Sequence, residues 1–154
     1  MRILDFLAPE NVVAPLAATD KEGILRELCA TLTRNGALEN PDMALEAVMT
    51  RERLGSTGIG EQVAIPHAKT RGASRLAGAF GLTSDEVDYD AVDDQPVRLV
   101  FLLVAGEDAT SAHLKALARI SRMLKNRSFR DRAREATSAE QLFALVRAED
   151  EALG

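Results

Sequence analysis

The sequence predicts an α/β fold with a single domain, in which a β-sheet is flanked by helices on both faces. Segments with the pattern of a strand alternate along the chain with segments that have the pattern of a helix, which favours this class. Residues Val97–Ala105 are apolar at both odd and even positions apart from one arginine, as expected of a central strand covered on both faces. The 154 residues, 46% of them hydrophobic, are enough for one well-buried core, and no linker divides them. We therefore expect residues 1–154 to form one domain.

The first predicted helix follows a short predicted strand at Val12–Leu16. Thr19 and Glu22 have the spacing of a capping box, in which a hydroxyl and a carboxylate satisfy free backbone N–H groups at a helix start. Apolar side chains then recur at helical spacing, at Leu25, Leu28, Cys29 and Leu32. Gly36 is expected to end this helix, because glycine adopts the left-handed conformation of a helix cap without strain.

A second helix is predicted from Asn40-Pro41 to about Arg53. Asparagine is a good N-terminal cap, and proline is favoured at the first helical position. Apolar side chains follow at Leu45, Val48 and Met49. Gly55 lies just beyond the expected end of this helix.

The second half of the chain continues the alternation. Strands are predicted at Val63–Ile65, Ala77–Leu82 and Val97–Ala105. The next helix, from Ala109 to about Lys125, has one clear apolar stripe. A final helix, near Ser138–Ala148, begins with a serine and a glutamine at capping-box spacing.

Composition and charge argue against several classes of function. A net charge of −5, the lack of a long basic block and only 4% aromatic residues make nucleic-acid binding an unfavoured hypothesis. No apolar stretch is long enough to cross a bilayer, and the first nine residues are too short, and too polar at Asp5, for a secretion signal. The single cysteine, Cys29, allows no intrachain disulfide, which suits a reducing compartment. We expect a cytoplasmic protein that inserts in no membrane.

The first histidine, His67, follows a segment rich in residues that shape the backbone. Three glycines lie upstream, at Gly55, Gly58 and Gly60. Together with Pro66 they indicate a defined turn rather than a flexible loop, and Pro66 should present His67 just past a strand end. Imidazole is a good phosphoryl acceptor, because one ring nitrogen attacks while the other is held by a hydrogen bond.

The second histidine, His113, lies near the start of the helix predicted from Ala109, where free N–H groups and the helix dipole favour an anion and disfavour an imidazolium. We therefore expect a neutral His113 that is able to donate one hydrogen bond. Arg51 would supply a guanidinium that can hold two phosphoryl oxygens. From the residues alone a structural alternative stays open, with His67 as a hydrogen-bonded turn residue, His113 at the edge of the core and Arg51 as a solvated helix end.

Two segments of the chain resemble one known family. Residues Arg51–His67 resemble the active-site stretch of the enzyme IIA (EIIA) domains of the fructose, mannitol and nitrogen-related phosphotransferase systems (PTS). Residues Leu99–Leu124, which include His113, resemble the second signature of the same family. The resemblance runs in order along essentially the whole chain, as a type-2 EIIA domain over residues 1–154. Residues 90–97 are similar to the nitrogen-regulatory branch, EIIA-Ntr or PtsN.

The resemblance implies a fold in which a mixed β-sheet is flanked by helices on both faces, and the function of a phosphohistidine carrier. His67 matches the histidine that accepts a phosphoryl group from a phosphocarrier of the HPr or NPr kind, as a tele-phosphohistidine intermediate. His113 matches the supporting second histidine, and Arg51 matches the arginine expected to stabilise the phosphoryl group. Neither a cofactor nor a metal ion is implied, and the chain has no nucleotide-binding loop pattern. Further partners implied are regulated targets such as transporters or sensor kinases.

Three functional hypotheses remain. The resemblance to the nitrogen branch favours a regulatory output protein. One alternative is a sugar-uptake IIA component that passes phosphate to a IIB domain, and another is a non-phosphorylated regulatory binding module with two structural histidines. Gln62 and Asp94 stand where relatives often have glycine. We expect Gln62 to make the turn before Val63 tighter or less free and to affect partner docking, and Asp94 to affect only a connecting turn.

Overall fold

The computed structural model describes residues 1–154, which form one six-stranded sheet with five α-helices. The strands are β1 Val12–Leu16, β2 Gly58–Gly60, β3 Val63–Ala64, β4 His67–Lys69, β5 Ala77–Val87 and β6 Val97–Ala105. The helices are α1 Lys21–Arg34, α2 Pro41–Leu54, α3 Thr110–Lys125, α4 Arg127–Arg134 and α5 Ala139–Leu153. Two short 3-10 helices, Ile3–Asp5 and Pro9–Asn11, precede β1. No helix combines the length and the apolar character that crossing a bilayer requires.

The sheet is mixed, and β6 lies at its centre. The strand order is β1-β5-β6-β3-β2, and β4 also pairs with β6, beyond β3. β5 is antiparallel to β6, whereas β3 and β4 are parallel to it. Every residue of β6 except Arg98 is buried, which explains why its sequence is apolar at both odd and even positions.

Two apolar cores lie on opposite faces of the sheet. Helices α1 and α2 cover one face, and α3, α4 and α5 cover the other. Side chains of β6 alternate between the cores, with Val100, Leu102 and Val104 in the first and Leu99, Phe101 and Leu103 in the second. The predicted fold class, a mixed sheet with helices on both faces, is confirmed.

The start of α1 differs by one residue from the prediction. Its N-terminal cap is Asp20, whose carboxylate accepts a hydrogen bond from the Gly23 N–H at 2.7 Å, so the capping box predicted at Thr19 and Glu22 is wrong. Threonine and aspartate are both good caps, and the sequence pattern does not separate neighbouring candidates.

Three other predicted helix boundaries are confirmed, namely the end of α1 and the starts of α2 and α5. Gly36 has a φ of +72°, and the next N–H, of Ala37, returns to the Leu32 carbonyl at 3.0 Å, which closes α1 in the left-handed cap. Asn40 caps α2 by accepting from Met43 at 3.2 Å. Ser138 caps α5 by accepting from the Gln141 N–H at 3.1 Å. The Gln141 side chain accepts from the Thr137 N–H at 2.8 Å instead of from Ser138, so only the serine half of the predicted capping box forms.

Two of the strands, one of the α-helices and both 3-10 helices were not predicted. β2 and β4 are three residues long, too short to show an alternating pattern. α4 has only eight residues, and just two of its buried side chains, Phe129 and Ala133, are apolar. Its start is fixed by the Asn126 side chain, which accepts from Ser128 at 3.0 Å. β5 and α5 also run farther than predicted, to Val87 and Leu153.

Candidate functional site

Pro66 separates β3 from β4 without changing their alignment with β6. Ala64 pairs with Val100 before the proline, and His67 pairs with Leu103 after it, so the register is kept. Proline has no N–H to donate and interrupts the ladder, although its carbonyl still accepts from Leu103 at 2.9 Å. His67 therefore lies just past the end of β3, as predicted, and is also the first residue of the short edge strand β4.

The turn upstream of this strand is tightly constrained. β2 and β3 are joined by only two residues, Glu61 and Gln62, with φ values of +57° and +64°. Two positive φ values in a two-residue hairpin loop are characteristic of a type I′ turn, which favours glycine and asparagine. A Cβ atom at Gly58 would lie 2.9 Å from the Cα of Ala91, so this glycine permits a close backbone approach.

A cleft of about 800 Å³ lies between α2, β4 and the first turns of α3. His67, His113 and Arg51 all line it, so the structure brings the three residues selected from the sequence to one place. The rings of His67 and His113 have their centroids 5.6 Å apart at an angle of 49°. No carboxylate group lies within ion-pair distance of either histidine.

The hydrogen bond of His67 fixes its tautomer. Nδ1 lies 2.8 Å from the carbonyl oxygen of Ile65. A carbonyl oxygen only accepts, so Nδ1 carries the proton, and the neutral ring has its lone pair on Nε2. Nε2 has no protein partner, and the side chain is half-buried at the cleft. This arrangement suits a nucleophile whose second nitrogen is held in place.

His113 is neutral at physiological pH. Burial, followed by the charges of His67 and Lys69, lowers the pKa of His113 to about 4. The side chain is 5% exposed, and its Nε2 is buried without a hydrogen-bond partner. Buried polar atoms in proteins are nearly always paired, so an unpaired imidazole nitrogen beside a cleft is a feature that a ligand would explain.

Arg51 lies in the last turn of α2. Its Nη1 donates to the carbonyl oxygen of Gly55 at 2.8 Å, which satisfies a backbone acceptor at the helix end. This is its one hydrogen bond within the protein, so the other N–H groups of the guanidinium remain available to a ligand. Arg51 can therefore satisfy a backbone carbonyl at the end of α2 and still bind a ligand in the cleft.

A buried polar network anchors this end of α2. Glu52 is 8% exposed and accepts hydrogen bonds from the Thr57 N–H, the Thr57 hydroxyl and the Tyr89 hydroxyl. Lys21 pairs with the same carboxylate at 2.7 Å. Burial and the Glu52 charge raise the pKa of Tyr89. The network joins α2 to the turn that follows it and so restrains the backbone beside Arg51.

Sequence reasoning missed several residues that line the cleft. Lys69 follows His67 by two positions on β4, and its Nζ donates to the Thr110 hydroxyl at 3.2 Å. Spacing of two on a strand would have indicated a shared face, but β4 itself was not predicted. Three exposed apolar side chains, Met43, Leu54 and Leu114, are also part of the lining, with 43%, 82% and 61% of their surface accessible.

Comparison with known proteins assigns the family. Residues 5–149 match the family model described as "Phosphoenolpyruvate-dependent sugar phosphotransferase system, EIIA 2". A nitrogen regulatory protein of Bradyrhizobium diazoefficiens is 36% identical over 146 residues, which are 95% of both chains. The fructose-specific EIIABC component of Bacillus subtilis is 37% identical over 150 residues, which are 97% of this chain and 24% of that longer protein.

Solved structures agree with this assignment. The nitrogen regulatory protein IIA-Ntr of Neisseria meningitidis is similar with a TM-score of 0.84 and 33% identity, covering 92% of this chain and 97% of that one. IIA mannitol of Escherichia coli shares the fold with a TM-score of 0.77 at 24% identity, covering 90% of this chain and 97% of that one. The chain belongs to the EIIA 2 family of the phosphoenolpyruvate-dependent sugar phosphotransferase system.

Proposed function

We propose that this chain is a phosphohistidine carrier of a nitrogen-type phosphotransferase relay and that it acts as a regulatory output in the cytoplasm. In this proposal residues 1–154 work as one EIIA domain. His67 accepts a phosphoryl group from an HPr- or NPr-like phosphocarrier, and Arg51 and His113 support the transfer. Family membership and the arrangement of the cleft both support this assignment.

The observation that carries the proposal is the hydrogen bond between His67 Nδ1 and the Ile65 carbonyl. It places the proton on Nδ1 and leaves the lone pair on Nε2, so the product would be a tele-phosphohistidine. It also fixes the orientation of the ring, and a fixed nucleophile lowers the entropic cost of reaching the transition state.

The transfer follows in-line displacement at phosphorus. The lone pair of His67 Nε2 forms the new N–P bond while the N–P bond of the donor phosphohistidine breaks, and the donor nitrogen keeps that electron pair. The proton on Nδ1 stays in its hydrogen bond to Ile65, so the attacking ring takes up the positive charge. The phosphoryl group, with a charge of roughly −1.5 to −2, then needs cations and hydrogen-bond donors around it.

Arg51 and His113 are suited to meet that need. The free N–H groups of Arg51 form a planar fork that matches two phosphoryl oxygens. A neutral imidazole can donate from Nε2, and the unpaired Nε2 of His113 would gain in the phosphoryl group the acceptor that it lacks. Because the pKa of His113 is lowered, its ring stays neutral and does not bring an extra proton to the site.

The rim of the cleft supports a protein donor rather than a small molecule. Met43, Leu54 and Leu114 are three of the seven large apolar side chains that the chain exposes. An apolar rim around polar reacting groups is typical of a protein-binding surface. A small phosphocarrier could cover these side chains while presenting its own phosphohistidine to His67.

The experiment that tests the proposal is phosphorylation with phosphoenolpyruvate, enzyme I and an HPr-type carrier, followed by intact mass measurement. We expect one acid-labile phosphoryl group on the wild type and none on His67→Ala. His113→Ala should still be labelled, but more slowly. Labelling that survives in His67→Ala but disappears in His113→Ala would reverse the two roles. A wild-type chain that stays unlabelled would instead support the binding-module hypothesis.

Arg51 and Arg53 form a matched pair for the arginine role. Both lie in the last turn of α2, but only Arg51 lines the cleft, and Arg53 is exposed. Arg51→Ala should slow phosphorylation by about 10²-fold, whereas Arg53→Ala should leave the rate unchanged. Equal losses in both variants, or a matching loss of folding stability in Arg51→Ala, would assign Arg51 a structural role.

The similarity to the fructose-specific EIIABC component keeps sugar uptake as a second candidate. In that case the phosphoryl group would pass from His67 to a IIB domain. Measuring transfer from the phosphorylated chain to purified IIB domains distinguishes the two candidate functions. Rapid sugar-coupled transfer would contradict a regulatory output. A pull-down that compares phosphorylated and unphosphorylated protein would then identify regulated targets such as transporters or sensor kinases.

A further inference from the structure

Lys69 shares the face of β4 on which His67 lies. Side chains two residues apart on a strand point to the same side, with Cα atoms about 6.6 Å apart. The Lys69 ammonium reaches across to α3, where Nζ contacts the hydroxyl of Thr110 at 3.2 Å. Thr110 is the first residue of α3 and precedes His113 by three positions, which places the two on neighbouring parts of one helix face. The ammonium therefore lies at the start of the helix that holds His113, and its charge is one of the causes that lower the pKa of His113.

The charge of Lys69 has no counter-ion in the protein. Of the three cations that line the cleft, Arg71 pairs with Glu107 at 3.1 Å and Arg51 donates to a backbone carbonyl. Lys69 forms no ion pair, and its one partner is the neutral hydroxyl of Thr110. Its side chain is exposed and can change rotamer at little cost. The start of α3 adds to the positive potential, since no side chain caps it.

We propose that Lys69 is a further phosphoryl-binding residue of this site, whose ammonium leaves the Thr110 hydroxyl and pairs with an oxygen of the phosphoryl group on His67 Nε2. The proposal rests on the proposed function of His67. No proton is exchanged, because lysine stays an ammonium throughout. The exchange replaces a neutral acceptor by a negatively charged one, so the ammonium gains the Coulomb attraction of an ion pair.

The effect should appear in the stability of the phosphorylated form. A cation beside the phosphoryl group favours its dianion over its monoanion, so Lys69 should lower the second pKa of that group, ordinarily about 6. It should also raise the fraction of chain phosphorylated at equilibrium with the carrier. Because Lys69 is exposed and screened by water, we expect a change of about fivefold in that equilibrium.

The test compares Lys69→Met with Lys115→Met. Lys115 is an exposed lysine on α3 that does not line the cleft, so it controls for the loss of one positive charge. Each protein is phosphorylated through the carrier, and the equilibrium constant is measured by intact mass. The phosphorylated proteins, freed of the carrier, are then titrated by ³¹P NMR, which reports the phosphoryl pKa without any contribution from donor docking.

We expect Lys69→Met to lower the equilibrium constant about fivefold and to raise the phosphoryl pKa by about half a unit. Lys115→Met should match the wild type, and Lys69→Arg should restore most of both effects because it keeps the charge. An unchanged phosphoryl pKa in Lys69→Met would overturn the proposal, even if transfer from the carrier became slower. A wild-type chain that accepts no phosphoryl group would refute the function itself, which is a different result.

Discussion

Acidification should destabilise this protein through His113, and the structure gives both the sign and the size of the effect. Burial is the largest cause that lowers the pKa of His113 to about 4, compared with 6.5 for an unperturbed histidine. Between these two values the unfolded chain binds more protons than the folded chain at this residue. The contribution of His113 to the free energy of unfolding is therefore fully present above pH 6.5 and is lost as the pH falls towards 4.

The expected loss follows from the two pKa values. At about 1.4 kcal/mol for each pH unit, the interval between 6.5 and 4 corresponds to at most about 3.5 kcal/mol. Water that enters the cleft to solvate the charged ring would reduce this figure. A loss of this size is a large part of the stability of a small domain, which is typically about 5–15 kcal/mol.

The assay is urea unfolding at a series of pH values between 7.5 and about 4, for the wild type and for His113→Gln. Glutamine still donates a hydrogen bond but does not titrate. Carboxylates weaken both proteins at low pH, so the difference between the two curves isolates His113. Curves that stay parallel across the whole interval would refute the reasoning from burial.

Proton NMR can measure the pKa of His113 directly, because the chain has only two histidines and their imidazole signals are easily separated. His113→Gln removes one of the two imidazole signals and so identifies the other. His67→Ala should raise the pKa of His113, since the charge of His67 is the second cause of its lowering. An unchanged pKa in His67→Ala would show that the two rings do not interact electrostatically.

Two further predictions concern stability alone, and urea unfolding measures both. Gln62→Gly should raise the free energy of unfolding by about 0.5–1 kcal/mol, because a residue with a long side chain has a φ of +64° there. Asp94→Gly should raise the free energy of unfolding by less, because aspartate tolerates the φ of +58° that Asp94 has. An equal increase in the two variants would contradict this argument. Asp150→Ala should cost about 3–5 kcal/mol, because it leaves the buried Arg119 guanidinium without its counter-ion. Asp131→Ala breaks only exposed pairs and should cost less than about 1 kcal/mol, and similar losses in the two variants would refute the distinction.

The sequence was sufficient for the elements whose pattern is long and regular. β6 is apolar on both faces, and α3 has a continuous apolar stripe, so both were placed within a residue or so of their ends. Caps such as Asn40 and Ser138 are local signals that need no tertiary context, and they located two helix starts correctly. A sheet with helices on both faces follows from these elements, whereas the mixed strand directions were implied by the family resemblance.

The rest of the fold depends on partners that lie far away in the sequence. β4 is a strand only because β6 supplies its ladder partner, and three residues carry no pattern of their own. α4 is polar along most of its length, and burial of Phe129 against the sheet contributes more to it than helix propensity does. Lys69 was missed for the same reason, since its orientation towards His67 depends on β4 being extended.

The buried ion pair of Arg119 and Asp150 also brings the two termini of the chain together. The Asp150 carboxylate accepts from the N–H groups of Ile3 and Leu4 at 3.0 and 3.2 Å, and Nη1 of Arg119 donates to the Gly154 carbonyl at 3.2 Å. A short peptide could therefore join residue 154 to residue 1 without disturbing the sheet. Circularly permuted versions opened in a surface loop become feasible, and so does insertion of the whole unit into a loop of another protein.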